Sequence, residues 1–154
     1  MNIEEIKECA AFLKVKEMIA PQIGIILGTG LGNLAAKIQA EVILEYANIP
    51  HFPVSTVEFH KGRLIYGMLA GKKVIAMQGR FHSYEGYTMQ QITFPVRVMK
   101  LLGIQHLLIS NAGGSMNAMM KKGSLMMIDD HINLQSSNPL GGKNYDELGP
   151  RFPD

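Results

Sequence analysis

The chain has 154 residues, of which 47% are hydrophobic and 18% charged, and its formal net charge at pH 7 is +2. This composition excludes a disordered chain and predicts a single globular domain over residues 1–154. The low net charge, without a basic cluster, argues against a nucleic-acid partner, and no apolar run is long enough to cross a membrane. The N-terminus MNIEEIKE is acidic where a signal peptide is basic, so the sequence predicts a cytoplasmic protein.

Helix and strand patterns alternate at the start of the chain. Apolar residues at helical spacing from Ile3 to Leu13 predict a first helix, with the lone Cys9 close to its apolar stripe. Residues 23–27 form the short apolar run that is typical of a buried strand. The glycine-rich loop GTGLG follows at residues 28–32 and leads into a short helix that ends near residue 38.

A β-hairpin is predicted in the middle of the chain. After a short strand at residues 42–44 and a proline-containing loop, the apolar stretches at residues 63–69 and 73–77 flank the sequence Ala-Gly-Lys. Residues 125–128 predict one further strand, before a polar tail rich in glycine and proline.

Residues 74–110 predict a strand, a helix and a second strand. Thr88 and Gln91 have the spacing of a capping box, and apolar residues follow at helical spacing as far as Gly103. The run at residues 106–110 then predicts the second strand. Because a helical crossover joins parallel strands, the predicted fold class is α/β.

Polar loops follow three of these strands, at residues 28–32, 78–87 and 111–117. Ligands bind at the carboxyl ends of neighbouring parallel strands, so these loops would face one ligand if the strands are neighbours. The backbone N–H groups of GTGLG and the Thr29 hydroxyl suit a phosphate, although a plain glycine turn explains the loop equally well. Asn33 interrupts a dinucleotide fingerprint, which leaves that ligand as a minor alternative.

The second loop, QGRFHSYEGY, carries the most polar chemistry. Arg80 can bind a phosphate bidentately, and His82 can donate from one ring nitrogen if Glu85 holds the other. The alternative is a solvated loop in which Arg80 pairs with Glu85. In the same way, His60 either approaches this crevice or is an exposed loop residue. The third loop, SNAGGSMN, offers Asn111 and a backbone amide, and a plain turn explains it equally well.

No metal site is predicted. Cys9 is the lone cysteine, and the histidines lack the spacing of paired ligands.

The motifs GIILGTGLGNL, HKGRL, QGRFHSYEGY, SNAGG and DHINLQSSNPL, in this order, resemble the trimeric class of purine nucleoside phosphorylases. The resemblance runs from Gly24 to the last residue, and QGRFHSYEGY is its most specific part. It implies the N-terminal portion of that family's domain: a three-layer α/β fold with a central mixed, largely parallel sheet, truncated at its C-terminal end.

The resemblance also implies roles for individual residues. The phosphate site would consist of Thr29, His60, Arg80, His82 and the amide of Ala112. Glu85 would orient His82, and these two would form the catalytic pair. The nucleoside would be contacted by Tyr84, by Asn111 and, in the neighbouring subunit of a homotrimer, by Phe152.

The implied reaction is reversible phosphorolysis, in which orthophosphate is the co-substrate and no cofactor takes part. A purine ribonucleoside or deoxyribonucleoside would give the free base and ribose or deoxyribose 1-phosphate. The family's base-recognising residues lie beyond the matched portion, so the preferred purine is not predicted. A second hypothesis is a catalytically silent homologue that serves as a phosphate-binding or oligomeric scaffold.

Overall fold

The computed structural model describes residues 2–28, 30–54 and 62–152. Its helices and strands are, in chain order, α1 (Ile3–Val15), β1 (Ile23–Ile26), α2 (Gly32–Ala35), β2 (Gln39–Glu45), β3 (Arg63–Leu69), β4 (Lys72–Gln78), α3 (Met89–Leu102) and β5 (His106–Ile109). Short 3-10 turns lie at Tyr46–Asn48, Ser83–Glu85 and Asp146–Leu148. None of the helices in these residues is long and apolar enough to span a membrane.

The strands form one five-stranded sheet in the order β2-β3-β4-β1-β5. β1 pairs in parallel with both β4 and β5, whereas β3 is antiparallel to both β2 and β4. Within the described sheet, β3 alone is therefore reversed relative to the other strands. This arrangement confirms the α/β prediction and its mixed, largely parallel sheet. It also brings the carboxyl ends of β4, β1 and β5 side by side.

Alternating side chains of the sheet enter two different apolar layers. Ile75 and Met77 of β4 are buried in the layer that also contains the inner faces of α1 and α3. Val74 and Ala76 of the same strand are buried on the opposite face, in the layer that contains Ala35 of α2. This period of two is what an extended strand imposes on its side chains. The sheet is thus the central layer, with helices on both faces.

Capping residues define the starts of both long helices. The side chain of Thr88 accepts a hydrogen bond from the N–H of Gln91 at 3.3 Å, and the Gln91 side chain accepts one from the N–H of Thr88 at 2.9 Å. This capping box was predicted. Asn2 and Glu5 form an equivalent box at α1, with distances of 2.9 and 2.8 Å. Each box satisfies two N–H groups that have no partner inside the helix.

The hairpin of β3 and β4 is confirmed, with a shorter connection than predicted. Only Ala70 and Gly71 lie between the strands, because Lys72 already pairs with Leu69. The φ angles of Ala70 and Gly71 are 48° and 75°. Positive φ at both central residues is the geometry of a two-residue turn that matches the twist of the strands.

The strand predicted at residues 125–128 is wrong. Within the described residues this segment pairs with no strand, and Leu125 and Met127 are 99% and 93% exposed. An apolar run favours a strand only where a neighbouring strand binds its N–H and C=O groups and another layer covers its side chains. Two boundaries also differ, since β2 extends over Gln39–Glu45 and α2 ends at Ala35.

Cys9 should be unreactive towards thiol reagents in the folded chain. Its side chain is fully buried in α1, and this burial raises the pKa of the thiol to about 12. At pH 8 the reactive thiolate should be roughly a thousandfold scarcer than in an exposed cysteine. We expect Ellman's reagent to label Cys9 fully in denaturant and negligibly in native buffer. Rapid labelling of the native chain would contradict this burial.

Candidate functional site

Three loops meet at the carboxyl ends of β4, β1 and β5. The backbone N–H of Gly28, after β1, donates to the Ser110 hydroxyl oxygen at 3.0 Å. The Arg80 guanidinium, after β4, donates through Nη2 to the carbonyl oxygen of Ser110, which follows β5. The sequence predicted that the loops face one ligand if the strands before them are neighbours. These strands are neighbours in the sheet. Residues distant in the chain therefore enclose one small region.

Gly28 allows this close approach because it has no side chain. A Cβ atom on residue 28 would lie 2.4 Å from the carbonyl oxygen of Ser110 and 2.8 Å from Nη2 of Arg80. Real Cβ atoms do not come so close to a backbone oxygen, so any larger residue would push the loops apart. The first glycine of GTGLG is thus required by packing.

Arg80 has positive charge available for a ligand. Its side chain is half-buried, and this burial lowers the pKa of the guanidinium, while nearby Tyr84 raises it. An arginine stays charged despite such a shift. Within the described residues Arg80 forms no ion pair with a carboxylate, so the predicted alternative of an Arg80–Glu85 pair is wrong. A partly desolvated cation that contacts a neutral carbonyl favours an anion beside it.

His82 is held in place by Glu85. The Oε1 atom of Glu85 accepts hydrogen bonds from the backbone N–H of His82, at 3.1 Å, and from Nδ1 of the His82 ring. The Glu85 side chain is only 5% exposed, so water competes little for these bonds. The carboxylate holds the ring at one nitrogen, as the sequence predicted. This contact fixes the orientation of the His82 ring.

Tyr84 lies against the same histidine. The rings of Tyr84 and His82 stack with centroids 4.6 Å apart and planes 19° from parallel. Tyr84 is 81% exposed, so most of its ring remains accessible beside His82. An exposed aromatic surface at this position suits contact with a sugar, and that role stays a prediction.

The structure describes some of the remaining predicted site residues and not others. Thr29 and His60 lie outside the described residues. Asn111 and Ala112 are exposed and directly follow Ser110, and the Asn111 side-chain amide donates to the Ala112 carbonyl at 3.1 Å. Phe152 is exposed, and no contact described within the chain joins it to Arg80 or His82.

Two further residues that hold these loops, Tyr46 and Ser110, were not predicted from the sequence. The Tyr46 hydroxyl donates to the carbonyl oxygen of Gly79 at 2.7 Å, and its buried ring packs 5.4 Å from that of Phe81. Tyr46 thus holds the residues on both sides of Arg80, although 33 positions separate it from Gly79. Ser110 had a local signal, because it is the polar residue that ends the apolar run HLLI.

Replacing Tyr46 with phenylalanine should destabilise the chain by about 1–2 kcal/mol, because the Gly79 carbonyl loses its buried partner. Urea denaturation of the variant measures this loss. The matched control is Tyr87→Phe, which removes a hydrogen bond to the carbonyl of Val54 at an exposed position and should change stability by less than about 0.5 kcal/mol. Equal losses in both variants would contradict a special role for Tyr46.

Within the described residues, neither a metal-binding cluster nor the cleft beside α1 competes with these loops as an anion site. No three histidine, cysteine, aspartate or glutamate side chains in residues 2–28, 30–54 and 62–152 could together hold a metal ion. A cleft of about 610 Å³ is lined by residues of α1, of the segment after β2 and of the start of α3. It shares no lining residue with the loops that surround Arg80, and it contains no arginine or lysine.

The class of protein that these residues define is an α/β domain in which an arginine and a carboxylate-bound histidine follow a strand at the edge where three strands end. The chain belongs to the phosphorylase superfamily, whose family model matches residues 22–154.

Named relatives agree with this membership. The chain is 54% identical to purine nucleoside phosphorylase 1 of Geobacillus stearothermophilus, over 100% of this chain and 56% of the relative. It is 45% identical to the purine nucleoside phosphorylase of Rattus norvegicus, over 97% of this chain and 53% of the relative. The chain thus spans about half the length of the curated relatives it matches.

A solved structure extends the likeness to the fold. Isoform 2 of the purine nucleoside phosphorylase of Schistosoma mansoni, in complex with cytosine and ribose-1-phosphate, superposes with a TM-score of 0.90. The two chains are 47% identical, and the match covers 99% of this chain and 55% of the other.

Proposed function

We propose that this chain carries the phosphate-binding part of a purine nucleoside phosphorylase. The reaction is reversible phosphorolysis of purine ribonucleosides and deoxyribonucleosides to the free base and the sugar 1-phosphate. The observation that carries the proposal is Arg80, a half-buried cation beside Gly28 and Ser110 at the carboxyl ends of three adjacent strands. Orthophosphate is the co-substrate, and the reaction requires no cofactor.

In this proposal Arg80 and His82 bind and orient the attacking phosphate. Arg80 supplies charge and paired N–H donors, and Glu85 keeps the His82 ring in position. Thr29, His60 and the amide of Ala112 complete the phosphate site on the strength of the sequence resemblance. Fixing the nucleophile in this way removes much of the entropic barrier to the reaction.

The chemical step exchanges one bond at the sugar for another. A phosphate oxygen forms a bond to C1′ while the bond from C1′ to the purine nitrogen breaks, and its electron pair leaves with the base. Positive charge develops on the sugar in the transition state, and the bound phosphate dianion stabilises it. Tyr84, stacked on His82, and Asn111 would contact the nucleoside.

The assembly and location proposed for the protein are a homotrimer in the cytoplasm. Support for the trimer is the sequence resemblance together with the exposure of Phe152, which would reach the site of the neighbouring subunit.

The second hypothesis is a catalytically silent scaffold. The chain matches 56% of the Geobacillus relative, and the sequence resemblance implies that the base-recognising residues lie in the unmatched part. Loss of one such transition-state contact commonly reduces turnover about a hundredfold or more. On this hypothesis the site binds phosphate without catalysis.

A two-part experiment separates these functions. Phosphate binding to the purified chain is measured by calorimetry, and phosphate-dependent release of hypoxanthine from inosine is measured by absorbance. Binding with turnover supports the enzyme, and binding without turnover supports the silent homologue. A chain that binds no phosphate would contradict both.

Replacing Glu85 with glutamine should weaken phosphate binding about tenfold, since hydrogen bonds to a neutral group are roughly half as strong as those to a carboxylate. Calorimetric titration with phosphate measures the change. The matched control is Glu8→Gln, because Glu8 binds another histidine, His51, at 2.8 Å on an exposed surface. This control should leave phosphate affinity unchanged, and a loss common to both variants would contradict the role given to Glu85.

A further inference from the structure

Phe81 separates Arg80 from His82 in the chain, and its side chain points the opposite way. It is 4% exposed and belongs to the apolar layer that contains the inner faces of α1 and α3. The Arg80 guanidinium and the His82 ring have partners outside that layer. His82 has extended backbone angles, with φ −121° and ψ 148°. Because successive side chains of an extended segment point to opposite sides, burial of Phe81 turns His82 away from the core.

Three other aromatic rings pack against the Phe81 ring. Its centroid lies 5.4 Å from that of Tyr46, 5.2 Å from that of Tyr87 and 6.4 Å from that of Phe52. Tyr46 and Phe52 follow β2, and Tyr87 precedes α3. We call these four residues the aromatic cluster. Because close-packed rings have little freedom to shift, the cluster fixes Phe81 relative to the segments on both sides of it.

The aromatic cluster also closes the loop that carries His82 and Glu85. Phe81 lies at the start of this loop and Tyr87 at its end, and the two rings meet edge to face with an angle of 65° between their planes. The contact sets the distance between the two ends of the loop. It therefore limits how far Glu85 can move from the His82 ring that it binds.

The chain before Arg80 is held by the same cluster. The Tyr46 hydroxyl donates to the carbonyl oxygen of Gly79 at 2.7 Å in a buried position. The φ angle of Gly79 is 116°, a backbone conformation that residues with a side chain rarely adopt. Buried contacts thus fix the backbone on both sides of Arg80, at Gly79 and at Phe81.

We infer that Phe81 is a positioning residue, which holds Arg80 and His82 in the placement in which one anion can contact both. The binding of an anion between them rests on the proposed function, whereas their placement rests on the contacts of the aromatic cluster. A displacement of about 1 Å at a reacting group can reduce a rate about a hundredfold, so a loosened Phe81 should matter although it touches no ligand. A ring that only filled the core would affect stability alone.

The experiment compares two buried phenylalanines. Phe81→Leu and Phe94→Leu each remove a ring that is at most 4% exposed. Phe94, on α3, contacts Phe52 with ring centroids 6.0 Å apart, and within the described residues no ring contact joins it to Phe81. Both variants should lose similar stability in urea. Phosphate binding, measured by calorimetry, should weaken about tenfold or more in Phe81→Leu and change less than about twofold in Phe94→Leu.

A second measurement follows His82 without any ligand. The Nδ1 proton that its ring shares with Glu85 is observed by NMR in a chain with isotope-labelled histidine, and His82→Gln assigns the signal. Exchange of this proton with water should be about tenfold faster or more in Phe81→Leu and unchanged in Phe94→Leu. A general loss of stability would instead speed exchange in both variants.

Tyr87 offers a pair of variants that leaves the core intact. Its side chain is half-buried, so Tyr87→Leu removes the ring at the end of the loop without emptying a core position. This variant should also speed exchange at His82. Tyr87→Phe keeps the ring and should restore the exchange rate to within about twofold of the original chain.

The proposal is supported if Phe81→Leu and Tyr87→Leu speed exchange at His82 while Phe94→Leu and Tyr87→Phe do not. It is overturned if Phe81→Leu leaves that exchange unchanged, or leaves phosphate affinity unchanged in a chain that binds phosphate. Equal changes in Phe94→Leu overturn it as well. If Phe81→Leu does not fold, unchanged exchange in Tyr87→Leu overturns it. If the original chain binds no phosphate, the proposed function fails, and exchange at His82 alone decides the role of Phe81.

Discussion

Replacing Arg80 with alanine should weaken phosphate binding by roughly 10- to 100-fold, since hydrogen bonds to charged groups contribute about 1.5–3 kcal/mol each. The guanidinium is half-buried and has no carboxylate partner among the described residues, so the variant removes a positive charge at the carboxyl ends of the strands. Calorimetric titration with phosphate measures the affinity. If the chain turns over inosine, turnover should fall about a hundredfold or more.

Arg97 provides a matched control for this variant. It is also half-buried, and it donates through Nη2 to a backbone carbonyl, that of Pro139, at 3.3 Å. Arg97→Ala therefore removes an arginine in a similar setting on α3, away from the three loops. It should leave phosphate affinity unchanged. Equal losses in Arg80→Ala and Arg97→Ala would indicate that general charge, and not this site, attracts the anion.

Replacing Gly28 with alanine should destabilise the chain by about 1–3 kcal/mol, the range for an extra carbon forced into a packed site. The new Cβ atom would lie 2.4 Å from the Ser110 carbonyl oxygen, which belongs to the backbone and cannot rotate away. The loops after β1 and β5 must then separate, and Arg80 loses its contact with Ser110. Urea denaturation measures the stability, and calorimetry should show weaker phosphate binding.

The control for Gly28→Ala comes from the same loop sequence. A Cβ atom on Gly32 would meet no heavy atom within 4 Å. Gly32→Ala should therefore change the free energy of unfolding by less than about 0.5 kcal/mol, as surface substitutions usually do. If both alanine variants are equally stable, the close contact of Gly28 with Ser110 does not hold the loops together.

Much of the fold was predictable because its signals are local. A capping box depends on residues three apart, and a hairpin turn depends on residues that are adjacent in sequence. Thr88 and Gln91, and the turn at Ala70 and Gly71, could therefore be recognised without any knowledge of the sheet. The order of the strands could not be read in this way. The prediction of the site used the strand order only as a condition, namely that the strands before the polar loops are neighbours.

The site was predictable to the extent that its residues share one loop. Arg80, His82 and Glu85 lie within six positions of one another, so their meeting required no tertiary information. Tyr46 contributes through a hydrogen bond across 33 positions, which no local pattern indicates. The wrong prediction of a strand at residues 125–128 also has a cause that lies outside the local sequence. Its apolar pattern is real, and the neighbour that would make it a strand is absent from the described residues.

The sheet's topology has a consequence for the order of folding. β2, β3 and β4 are consecutive in the chain and pair with their sequence neighbours, whereas β1 pairs with β4 and β5 across long separations. Closing long loops is entropically slower, so the antiparallel half should form first and β1 and β5 should join it later. Gly28 and Ser110 belong to this late half. Phosphate would then stabilise the contacts formed last, and it should slow unfolding more than it speeds folding.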